Sequence, residues 1–155
     1  MLSCATPYGI INFERGMMSW NPERGPPQRV EIGEIIVTAC LIPSPQNSIQ
    51  GVVMFSKQGS IIHLSIPSLV PISSTRLDGW FPESAQTVHI NGIAHIILSH
   101  DKSIEVRCLD DLKKIVSIIE FENKVNLLYL DGDKLVVIQG MKTAEIQIQD
   151  IIPLP

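Results

Sequence analysis

The sequence predicts an all-β chain, a partial WD40-like β-propeller of about three divergent antiparallel blades. Three observations point there. Residues 30–155 alternate short β-branched or apolar runs with turn residues. Two stretches repeat at spacings close to one blade. The innermost runs are apolar throughout while later ones alternate, as a sheet covered by neighbouring sheets requires.

The strands are predicted in order along the chain. Residues 1–29 are set aside as an irregular N-terminal segment, because Asn21-Pro22-Glu23-Arg24-Gly25-Pro26-Pro27 is a cluster of breakers. The propeller portion is taken as 30–155. Glu34–Leu41 is a β-branched run, followed by a loop at Pro43-Ser44-Pro45-Gln46-Asn47-Ser48. Gly51–Ser56, the turn Lys57-Gln58-Gly59 and Ser60–Ile66 read as a hairpin. Pro67 and Pro71 end that strand, and Arg76–Gln86 is a loop. Strands follow at Ala94–Ser99, Ser103–Leu109, Ile115–Phe121, Val125–Leu130, Lys134–Gln139 and Ala144–Asp150. Leu109–Ile119 also fits a short helical stretch, but Asp110-Asp111 favours a turn there.

The repeat is the most informative pattern. Ser56–Ile72 lies over Ser99–Ile115 without a gap, 43 positions on, with five identities in seventeen. They are Ser56/Ser99, Ser60/Ser103, Ile61/Ile104, Leu69/Leu112 and Ile72/Ile115. His89–Asp110 lies over Tyr129–Asp150 at a spacing of 40, matching Gly92 to Gly132, Lys102 to Lys142 and Glu105 to Glu145. Blades of the WD40 type recur every 40–45 residues or so. The alternation predicts Ile104, Val106 and Cys108 inward with Glu105 and Arg107 outward, and Ile146 and Ile148 inward with Glu145 and Gln147 outward. One conflict stands: His63 falls on the apolar parity, and Ile62 and Leu64 on the polar one. A strand buried on both faces would resolve it. A partial propeller leaves blade edges open, so self-association through them is expected.

Composition narrows the function classes. The 155 residues carry a net charge of −4, with 45% hydrophobic and 18% charged residues. That sustains a packed core and gives no basic stripe for nucleic acid or anionic lipid. Cys4, Cys40 and Cys108 fit no metal or disulfide spacing and are expected as reduced thiols. No signal peptide is expected in Met1 to Trp20, where Glu14 and Arg15 interrupt any apolar run. No stretch reaches the roughly 18 apolar residues of a membrane helix. The expected place is the cytoplasm, at the cell cortex or a membrane surface through partners.

No motif for catalysis emerges, and neither a catalytic residue nor a cofactor or metal ligand is assigned. His89, His95 and His100 lie near one another in sequence, but no HExxH or CxxC pattern accompanies them. Ser99-His100-Asp101 are consecutive, and neighbours along a strand point to opposite faces, so they form no relay. Asp131-Gly132-Asp133 opens like a calcium loop but lacks the later ligands; a hairpin turn accounts for it. A small metal enzyme around the three histidines is the minor alternative. Protein binding has one candidate, Trp80 and Phe81 within Gly79-Trp80-Phe81-Pro82. Aromatics in such a loop anchor interfaces, although large aromatics also serve as core plugs.

Gly51–Pro71, GVVMFSKQGSIIHLSIPSLVP, resembles a blade of the lethal giant larvae/tomosyn family. There an apolar strand, a glycine turn and a second strand precede Ser-Leu-Pro-x-Leu-x-Pro; here Gly59 matches the turn and Ile66, Pro67, Leu69 and Pro71 the tail. Arg29-Val30 through Ala39 resembles the strand before that blade, and Gly92–Leu109 loosely resembles the next. Ser60 stands where an acidic residue is common, and no SNARE-like tail is present. The resemblance implies a non-catalytic scaffold of exocytosis and cell polarity whose partners are SNARE proteins or their regulators. Another propeller scaffold, such as a vesicle tether or coat subunit, is the alternative.

Overall fold

Fifteen antiparallel strands form among the residues that the computed structural model describes, which are 2–6, 9–43, 49–66 and 68–152. The strands arrange into four sheets, each a meander in chain order. The chain divides into two compact units, Met1–Phe81 and Pro82–Pro155.

In the first unit, β1 (Leu2–Thr6), β2 (Gly9–Glu14), β3 (Met17–Pro22) and β4 (Gln28–Glu31) make one four-stranded sheet. The irregular segment expected at 1–29 is therefore corrected to a complete blade. The breakers at 21–27 close β3 and turn the chain into β4 instead of dissolving the region. Its sequence signal is period-two burial, with Ile11 and Phe13 on β2 facing the core beside Met18 and Trp20 on β3. Arg15 and Gly16 join those strands with φ of 51° and 76°, the paired positive values of a type I′ hairpin turn.

The second sheet runs β5 (Ile36–Pro43), β6 (Ile49–Ser56), β7 (Ser60–Ser65) and β8 (Pro71–Arg76). The predicted hairpin of β6 and β7 is present. β7 is buried on both faces, His63 included, which resolves the parity conflict. The loop expected at Arg76–Gln86 is shorter at both ends, because β8 ends on Arg76 and β9 starts at Ala85, and Pro71 opens β8. Proline is tolerated at a first strand position on an edge. The expected loop residues 44–48 and the strand-ending Pro67 lie outside the described residues. Val52, Met54 and Leu64 of this sheet join Ile11, Phe13, Met18 and Trp20 in one core.

In the second unit, β9 (Ala85–Ile90), β10 (Ile93–His100), β11 (Ser103–Cys108) and β12 (Asp111–Glu120) form the third sheet. Leu109 and Asp110 form a turn, as Asp110-Asp111 led one to expect, and β12 runs on from Asp111 with no helical stretch. β13 (Leu127–Asp131), β14 (Lys134–Gln139) and β15 (Lys142–Gln147) form the fourth, and a short 3-10 turn follows at Ile148–Asp150. Between these sheets lies a second core, with Val88, Ile97, Ile104 and Val106 facing Leu128, Leu135 and Val137.

The repeat read from sequence is physical. β11 spans the residues 43 positions after β7. β14 lies 40 positions after the middle of β10. The gapless matches slip by one residue at hairpins, because three residues link β6 to β7 while two link β10 to β11. Similarly, Asn91-Gly92 is the counterpart of Gly132-Asp133, not of Asp131-Gly132.

Candidate functional site

The aromatic loop begins where β8 ends. Leu77 is buried and its N–H donates to the Gly59 carbonyl at 2.7 Å. Gly79 N–H donates back to the Leu77 carbonyl at 3.0 Å. Gly59 sits at φ +96°, and a Cβ there would come within 3.0 Å of the Leu77 and Trp80 carbonyl oxygens. The β6–β7 turn thus holds the loop backbone directly against glycine. Trp80 is half-buried and has a partner of its own. Phe81 is 42% exposed. The expectation that both rings plug a core does not describe Phe81, whose ring faces solvent at the end of a fixed loop.

A polar cluster supports the same end of the second sheet. The Glu34 carboxylate accepts from Ser56 Oγ at 3.1 Å and from Ser60 Oγ at 2.9 Å, and pairs with Arg76 Nη2 at 3.3 Å. Ser60 N–H donates to Ser56 Oγ at 2.9 Å. One carboxylate, placed before β5, therefore ties the β6–β7 hairpin to the last residue of β8. Arg76 is largely solvated, so the hydroxyl bonds carry more of this than the ion pair. Ser99, the repeat partner of Ser56, makes an equivalent link: it accepts from Ser84 N–H at 3.0 Å, ahead of β9. Ser84 Oγ in turn accepts from Leu128 N–H at 2.9 Å, which joins the third sheet to the fourth.

The serine, histidine and aspartate at 99–101 are spread apart by this arrangement. Ser99 is buried and engaged with Ser84, His100 is exposed, and Asp101 sits in the turn before β11 at φ 52°. His89, His95 and His100 do not converge either. His95 is buried, with Nδ1 2.8 Å from the Ile93 carbonyl oxygen, opposite Val88 in the register. His89 lies opposite Ala94 and so occupies the other face. His100 is six positions beyond Ala94, on the order of 20 Å at strand rise. Among the described residues no group of three His, Cys, Asp or Glu side chains could hold a metal ion. Asp131 to Asp133 form the β13–β14 turn, with Gly132 at φ 63°.

Glu105 and Arg107, expected in water, are buried instead. β11 is an inner strand, its edges taken by β10 and β12, and consecutive residues Ile104 to Arg107 are all buried, so both of its faces are covered. Arg107 Nη2 lies 3.2 Å from Glu105 Oε1, and Nη1 donates to the Leu112 carbonyl at 2.9 Å. The register of β11 and β12 shifts on both sides of Arg107, so its guanidinium fills the irregularity it stands beside. The repeat held the signal: 43 positions earlier stand Ile62 and Leu64, the same residues that broke the parity. On β15, by contrast, Glu145 and Gln147 are exposed and Ile146 is partly buried, as expected.

No protein-family model and no curated protein sequence matches the chain. Its fold matches solved β-propeller proteins. BamB from Moraxella catarrhalis aligns with a TM-score of 0.68 at 12% identity, over 99% of this chain and 46% of that one. BBS1N in complex with ARL6DN aligns at 0.69 and 15%, over 93% and 46%. The dihydro-heme d1 dehydrogenase NirN in complex with DHE aligns at 0.68 and 14%, over 94% and 34%. The chain is a partial β-propeller. It spans less than half the length of each of these matched propellers. The three blades expected within 30–155 are the sheets β5–β8, β9–β12 and β13–β15, and the sheet β1–β4 is one more among the described residues.

Proposed function

We propose that this propeller portion is a non-catalytic protein-interaction scaffold, and that it belongs to a SNARE-binding regulator of exocytosis and cell polarity acting in the cytoplasm at the cell cortex. One observation carries the scaffold reading: an exposed phenylalanine, with a tryptophan beside it, is displayed on a loop whose backbone is pinned to Gly59. An aromatic already fixed in place loses little freedom on binding, which is where interface affinity concentrates. The match to BBS1N, a propeller bound to a second protein, ARL6DN, supports the use of such a fold for docking. The finer reading rests on the resemblance of 51–71 to the lethal giant larvae/tomosyn blade, through Gly59, Leu69 and Pro71.

The test is capture of purified SNARE cytoplasmic segments on the immobilised chain. The wild type retains a SNARE, and Phe81→Ala weakens that retention at least tenfold with an unchanged far-UV spectrum. Failure of the wild type to retain any SNARE ends the exocytosis reading and turns the search to tether and coat components. Retention that is indifferent to Phe81→Ala removes the aromatic loop as the site.

A further inference from the structure

The last strands of the four-stranded sheets differ in how they meet a further strand. β4 has four residues, Gln28–Glu31, and β8 opens on Pro71. Short length and proline both discourage strand addition. β12 has neither. It is the longest of the described strands, ten residues from Asp111 to Glu120, and among the described residues it pairs with β11 alone. It lies inside the chain, with β9–β11 before it and β13–β15 after it.

Its free edge is defined by its ladder. Phe121 N–H donates to the Lys102 carbonyl at 2.7 Å, one step beyond the pair Ser103 and Glu120. Amides alternate along an antiparallel strand, so those of Ser117 and Ile119 face β11 while those of Ile118 and Glu120 face outward. Ile118 is 55% exposed and Ile115 45%. The register shifts beside Arg107 leave Lys113 and Lys114 without partners on β11, both exposed at the head of the strand. Along the sequence the edge thus runs basic at Lys113-Lys114, apolar from Ile115 to Ile119, and acidic at Glu120 and Glu122.

We infer that β12 pairs antiparallel with β12 of a second copy of this chain, about a two-fold axis at Ile118. In that register Ile118 meets its counterpart, and the Lys113-Lys114 head of each copy lies along Glu120 and Glu122 of the other. Two observations choose this occupant. The outward amides of Ile118 and Glu120 call for an extended strand, which supplies backbone hydrogen bonds. The charges of β12 reverse from one end to the other, so an antiparallel copy answers them at both ends, whereas a parallel copy would set lysine against lysine. Edge lysines ordinarily repel an added strand; here the copy brings carboxylates to them. The two-fold closes on itself, so the product is a dimer and not a filament. The inference goes beyond the SNARE reading and is independent of it, because it uses neither the aromatic loop nor 51–71.

Sedimentation equilibrium on the 155-residue chain tests it. The wild type gives a dimer whose mass does not grow further with concentration. Lys113→Glu with Lys114→Glu is monomeric, and so is Glu120→Lys with Glu122→Lys. An equimolar mixture of these two variants is a dimer again, because unlike charges then face each other at both ends. All four positions are exposed, so each variant keeps the wild-type far-UV spectrum. Ile118→Pro removes an outward N–H, spares the bonds to β11, and is monomeric. Phe81→Ala stays dimeric, which separates this result from the outcome of SNARE capture. A wild type that is monomeric up to about 100 µM overturns the proposal. Open-ended oligomers, charge-reversed variants that remain dimers, or a mixture that stays monomeric overturn it as well.

Discussion

Arg107 and Glu105 give the sharpest case of sequence and environment pulling apart. Their charges sit on an inner strand, each side chain under a tenth exposed, so each depends on the other. Arg107→Met should cost roughly 3–5 kcal/mol, because it strands a buried carboxylate and also frees the Leu112 carbonyl. The double replacement Glu105→Leu with Arg107→Met should recover most of that loss, since no charge is then left unpaired. Urea midpoints for the two single variants and the double variant decide it; additive losses would mean that the side chains act separately. Cysteine chemistry makes a second residue-scale prediction. Burial pushes the Cys40 thiol from its ordinary 9.0 up to about 12, and neighbouring Cys4 adds to the rise. At pH 8 its thiolate, and so its native-state alkylation rate, should be about a thousandfold below that of an ordinary thiol. The sign for stability follows. This contribution is whole below pH 9 and is lost as pH climbs toward 12, where the native thiol finally ionises. Mass spectrometry after timed iodoacetamide exposure reads the rate; prompt labelling of Cys40 without unfolding would contradict the raised thiol pKa.

The β6–β7 hairpin shows how much one element decides. β6 is a central strand whose residues 51–56 are all buried, and its glycine, Gly51, marks a close approach of the Leu64 carbonyl. Gly59→Ala would combine a disfavoured φ with a Cβ pressed on two carbonyl oxygens. We expect a loss of about 1–3 kcal/mol, together with weaker partner capture through the displaced Phe81 loop. Thermal melting and the capture assay read these separately, and a neutral substitution would show that the loop is not pinned. This hairpin was legible because nearly all its physics is local: an apolar run, a glycine turn and a second run. The strands β10, β11 and β14 were legible for the same reason, reinforced by the repeat. β1, β8 and β9 were not. LSCAT and PISSTR carry few β-branched apolar residues, and they become strands because a neighbouring strand supplies their hydrogen bonds. AQTVHI takes its burial from the sheet around it. The Trp80–Phe81 candidate was visible as a pair of aromatics, but which ring is exposed depends on Gly59, some twenty residues earlier. The Glu34–Ser56–Ser60–Arg76 cluster joins four separated segments, and no local pattern announces it.

At the scale of the molecule, three sheets have four strands and the fourth has three. β15 corresponds in sheet order to β3, β7 and β11, each of which has a neighbour on both sides. Among the described residues β15 pairs with β14 alone. After it the chain turns inward, where Ile151 is buried in the core and Ile152 packs against it. The open edge of β15 is a route to association, since an edge recruits a strand by backbone hydrogen bonds. Hydrogen exchange tests it. While that edge is free, alternate amides of β15 should exchange rapidly, because half of its N–H groups point away from β14. β11, paired on both sides, should be protected along its length. Protection of every β15 amide, appearing with rising concentration, would show an added strand completing the blade, so that association runs by the edge and the fourth sheet is closed by backbone hydrogen bonds.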